Sequence, residues 1–97
     1  MRQKVIADLV KSIEASISDV RYVIDPPDDK FLETGTWFVD ISIDTRIFVI
    51  EYFGDDKPFG LSEVGGVDSS YGDNAPDHLC STSEDVVNKL IELINQQ

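Results

Sequence analysis

The sequence predicts an α+β domain of order α-β-β-β-α, a three-stranded antiparallel meander with two helices packed on one face. Three observations predict it. Apolar residues recur at helical spacing near both ends of the chain, two β-rich runs occupy its centre, and 97 residues suffice for one modest core and no second domain.

The first helix is expected over residues 3–18, where Val5, Ile6, Leu9, Val10, Ile13 and Ile17 form an apolar stripe. Lys4, Asp8, Lys11 and Glu14 lie on its polar side. Residues 19–24 lean toward extended structure, as a short strand or as the run out of the helix. Asp25-Pro26-Pro27-Asp28-Asp29-Lys30 then breaks the pattern, because two prolines remove two backbone donors, and it reads as a surface loop.

The central runs, 36–43 and 46–53, are separated by Asp44-Thr45. A two-residue turn would pair Ile43 with Arg46, Ile41 with Phe48, Val39 with Ile50 and Trp37 with Tyr52. That register collects Trp37, Val39, Ile41, Ile43, Phe48, Ile50 and Tyr52 on one face. Phe38, Asp40, Ser42, Ile47, Val49 and Glu51 fall on the other. One face is nearly all apolar and one is mixed, as a sheet with a single buried side requires, and a one-residue slip would scramble both. Asp-Thr is not a favoured primed-turn pair, which leaves a longer connection open.

A third strand is expected at Phe59–Val64, with Gly60 marking a bulge or the close approach of another backbone. Residues 65–80 read as a long loop rich in Gly, Asp, Ser and Pro. The last helix follows, started by a capping box from Ser81 with Glu84 or Thr82 with Asp85. Its stripe is Val86, Val87, Leu90, Ile91 and Ile94.

Charge narrows the function classes. The formal net charge is −11. Residues 1–24 carry Arg2, Lys4, Lys11 and Arg21 against Asp8, Glu14 and Asp19, so the acidity belongs to the remainder of the chain. Direct nucleic-acid binding is disfavoured, because it rests on Lys and Arg, and so is adsorption to anionic membranes. No apolar run approaches the ~18 residues of a membrane span, and the basic start lacks the unbroken apolar run of a signal peptide. The single Cys80 excludes an internal disulfide and suits a reducing cytosol. The acidity serves solubility, or steers the chain toward a basic partner.

No catalytic motif is present. Asp73, Asp77, His78 and Cys80 offer mixed donors, but their spacing fits neither a zinc site nor a calcium loop. Asp40 and Glu51 fall on adjacent strands as diagonal neighbours, short of a carboxylate pair for acid–base work. Cys80 lies near a helix start, a mildly activating place, yet nothing orients His78 as its base. The mixed sheet face is the better candidate. Phe38, Ile47 and Val49 are too apolar for a face wholly in water unless residues 19–34 or 65–80 cover it. Free sheet edges offer a second route to a partner.

Trp37, Asp40, Glu51, Phe59-Gly60-Leu61-Ser62, Tyr71-Gly72 and Pro76-Asp77 together resemble a group of small bacterial, often cyanobacterial, proteins of about 90 residues and unknown function. The resemblance spans residues 36–95 through short motifs. Relatives that accompany regulators of the phage-repressor type imply a regulatory or antitoxin-like role here, with no chemistry assigned to any residue. This chain has no helix-turn-helix of its own.

The expectation is therefore a non-enzymatic cytosolic binding protein without cofactor or metal. It would be inhibitor-like toward a basic protein partner, or self-associating as a homodimer, and would act through Phe38, Asp40, Ile47, Val49, Glu51 and Tyr71. The alternative is a small enzyme or metal-binding domain built on the 71–80 loop. A third possibility is a subunit of a larger assembly.

Overall fold

A computed structural model describes residues 2–54, 58–64 and 78–96. The elements run α1 (Arg2–Ser16), β1 (Arg21–Asp25), a 3₁₀ turn (Asp29–Phe31), β2 (Trp37–Ile43), β3 (Arg46–Tyr52), β4 (Phe59–Val64), β5 (His78–Cys80) and α2 (Ser83–Asn95). All five strands join one antiparallel sheet in the order β1-β2-β3-β4-β5. The α+β class and the central meander hold. Among the described residues, however, the sheet has five strands and not three.

Both additional strands are edges. β1 forms from residues 21–25 and pairs with β2, matching Val23 to Asp40 and Ile24 to Val39. β5 forms from the last three residues of the segment expected as a loop and pairs Phe59 with Cys80. Each is short, and each is stabilised by backbone hydrogen bonds to a strand distant in sequence, so side-chain periodicity carries little of the signal.

The β2–β3 register is the one the alternation predicts, Trp37 to Tyr52 through Ile43 to Arg46. The turn does hold two residues, because Asp44 takes φ 53°, the left-handed conformation that a short polar side chain tolerates. β4 pairs regularly with β3 through Gly60, so that glycine marks no bulge.

Both helices share one core with the inward face of the sheet. Ile6, Leu9, Val10 and Ile13 of α1 meet Val86, Val87 and Leu90 of α2 over Val39, Ile41, Phe48, Ile50 and Leu61. Thr82 caps α2, its hydroxyl accepting from the Asp85 amide at 3.1 Å, so that Thr82 and not Ser81 is the N-cap. Ile91 and Ile94 are only partly buried against the core.

Polar ties close the two ends of the layer. Trp37 Nε1 donates to the Leu32 carbonyl at 2.9 Å, and Leu32 packs on the core, so residues 26–35 fold toward the helices. Arg2 donates to the Gly35 carbonyl at 2.8 Å and lies 5.6 Å from the Tyr52 ring centre. Gly54 has φ 78°, and a β-carbon there would collide with the Arg2 guanidinium. At the other end Arg46 forks onto Glu63 at 2.7 and 2.8 Å. It also donates to the Ile94 and Gln96 carbonyls, both at 3.2 Å, which ties the β2–β3 turn to the end of α2.

Candidate interaction face

Alternation places odd and even residues of each strand on opposite sides of the sheet. The face away from the helices is built in three rows by the strand registers. One row runs Asp25, Phe38, Glu51, Gly60, Leu79. The next runs Val23, Asp40, Val49, Ser62. The last runs Arg21, Ser42, Ile47, Val64.

Four of the expected residues hold surface positions on this outer face. Ile47 is 45% exposed, Asp40 is exposed, and Phe38 and Glu51 are half-buried. Val49 departs from expectation. It is 4% exposed, because it sits mid-strand in the central β3 between Asp40 and Ser62, and it offers a partner almost no surface. Tyr71 lies outside the described residues. Residues 21–25 do not cover the face, since they extend it at one edge, and β5 extends it at the other.

Beside Arg21, three contributors come only with the edge strands. Val23 of β1 is 63% exposed, Leu79 of β5 is 53% exposed, and Asp25 ends the Phe38 row. The extended-leaning composition of residues 19–24 was the available signal for Val23. Leu79 had none, because three residues are too few to display a period.

Asp25, Asp40 and Glu51 thus stand among Val23, Phe38, Ile47 and Leu79, with Arg21 the one basic residue in the rows. Glu51 lies between Phe38 and Gly60, and Gly60 adds no side chain to the row. Partial burial lifts the Glu51 carboxyl above its ordinary pKa. Asp40 and Glu51 occupy diagonal register positions, as expected.

Cys80 belongs to the core cluster on the inward face, and burial, reinforced by Asp85, pushes its thiol pKa up, opposite to the activation expected beside a helix start. Among the described residues no three His, Cys, Asp or Glu side chains gather as a metal site. Asp73 and Asp77 lie outside the described residues. Among those described, no helix is long and apolar enough to cross a membrane.

Comparison with known protein families, with characterised proteins and with solved structures finds no match to this chain.

Proposed function

We propose that the chain is a non-enzymatic binding module whose outer sheet face docks a basic protein partner. One observation carries this reading: exposed or half-exposed Val23, Phe38, Ile47 and Leu79 are interleaved with three carboxylates on a face opposite the helices. Apolar surface of this kind supplies affinity, and the carboxylates select lysine- or arginine-bearing partners. The half-buried Glu51 suits a cation best, because a partially desolvated carboxylate gains more from a neighbouring charge than a fully hydrated one. The net charge of −11 steers the same class of partner over longer range. An inhibitor or antitoxin that covers a basic protein, the role implied by the motif resemblance, is one form of this function.

The test is capture from lysate at low and high salt by the wild-type chain and by two variants, Ile47→Asp and Glu51→Gln. A basic protein retained by the wild type, released by salt and lost with Ile47→Asp is the expected result. A captured set that is unchanged by salt and by both substitutions would refute the docking face.

A further inference from the structure

We infer that β1 is a self-complementary edge through which two copies of this chain join, antiparallel, into one continuous ten-stranded sheet. The inference does not depend on the basic-partner reading.

β1 is a sheet edge whose five residues, Arg-Tyr-Val-Ile-Asp, are all exposed. Such an edge presents unpaired backbone donors and acceptors, and proteins usually shield it with proline, lysine, a bulge or short length. β5 is shielded by its length of three residues. β1 carries no lysine or proline, and exposes Tyr22, Val23 and Ile24.

Read against its own reverse, β1 is complementary at every position. With Val23 opposite Val23 of a second copy, Arg21 faces Asp25, Tyr22 faces Ile24, and the same pairs recur by symmetry. Opposite charges and aromatic–β-branched pairs are the combinations that stabilise directly opposed residues in antiparallel strands. Among the described residues neither Arg21 nor Asp25 forms an ion pair within the chain. The strand is neutral within a chain of net charge −11, so two copies can meet here with the least repulsion.

The ends of β1 set the register. Asp19, at φ 57°, turns the backbone away just before the strand, and Pro26-Pro27 ends its donors just after it. A slip of one residue sets Arg21 against Ile24, and a slip of two leaves three paired residues and no charge pair. The centred pairing is isologous and closed, because it consumes the same edge of both copies. Its two-fold axis passes through the sheet, so both helix layers lie on one side. The two outer faces merge into a single surface with the Val23 pair at its centre and an Arg21–Asp25 pair on either side.

Sedimentation equilibrium from micromolar to millimolar concentration tests this on the wild type, on Arg21→Asp, on Asp25→Arg and on the double exchange R21D/D25R. Each single variant sets like charges opposite each other twice in the dimer and is expected to weaken association at least about tenfold. The double exchange restores both pairs and is expected to recover association. Ile47→Asp, two strands in from the β1 edge, leaves the dimer intact, which separates this outcome from failure of partner docking. Thermal melts establish that every variant folds. A wild type that stays monomeric at about 1 mM, or single variants that associate as well as the wild type, would overturn the inference.

Discussion

Replacing Arg46 with methionine is expected to destabilise the domain by about 2–3 kcal/mol. The guanidinium makes a two-pronged contact with Glu63 at 2.7 and 2.8 Å, both side chains being 29% exposed. Solvent screening limits that pair to about 1 kcal/mol. Two longer hydrogen bonds, to the Ile94 and Gln96 carbonyls at 3.2 Å, add about 0.5 kcal/mol each and satisfy acceptors at the negative end of α2. The guanidinium also lies 5.1 Å from the Phe48 ring centre, worth about 0.5 kcal/mol more. Methionine preserves much of the apolar stem, so packing changes little. In a domain of this size the loss lowers Tm by roughly 10–20 °C. Glu63→Gln removes only the ion pair and is expected to cost about 1 kcal/mol. Urea unfolding of both single variants and the double variant measures each cost and the coupling between them. Equal costs for Arg46→Met and Glu63→Gln would show that the tie to α2 contributes nothing. The pair has a pH signature too. Hydrogen bonding from Arg46 holds the Glu63 carboxyl below its ordinary pKa. Its stabilisation is therefore complete above the unfolded-state pKa and is lost as pH falls through the depressed folded value. Arg46→Met should remove that part of the acid sensitivity.

Glu51 has the opposite sign. Its folded pKa is raised by desolvation, so its ionisation opposes folding, and stability falls as pH rises from the ordinary carboxylate value through the raised one. Glu51→Gln is therefore expected to be more stable than wild type at pH 7, with the difference vanishing below the unfolded pKa. Denaturant titration at pH 4 and pH 7 checks this, and an unchanged difference between the two would count against a desolvated carboxylate. Cys80 is buried with a raised thiol pKa, so a disulfide reagent should modify the native chain at least about a hundredfold more slowly than the unfolded chain. Equal rates would place the thiol at the surface.

The hairpin and both helices were legible because each is a local pattern. Alternation from Trp37 to Tyr52 specifies which residues share a face, and burial of that face rewards a single register. The candidate face was legible to the same extent. Phe38, Asp40, Ile47 and Glu51 lie where the register puts them, while Val49 is lost to burial because alternation reports a side of the sheet and not what surrounds a residue on it. Asp25 read as loop solvation because Pro26 follows it, yet it closes β1 opposite Phe38.

The sequence by itself determined the class of the domain, the central strand pairing, the helical stripes and the concentration of acidity beyond residue 24. Short-range periodicity and composition contain these, because they depend on neighbours a few positions apart. Tertiary structure alone decided that residues 21–25 and 78–80 extend the meander to five strands, that Cys80 joins the core, and that Arg46 reaches the end of α2. Those outcomes depend on backbone donors, acceptors and space supplied by segments far away in the chain. An edge strand draws its stability from the strand it joins, so its own side chains need carry no pattern that announces it.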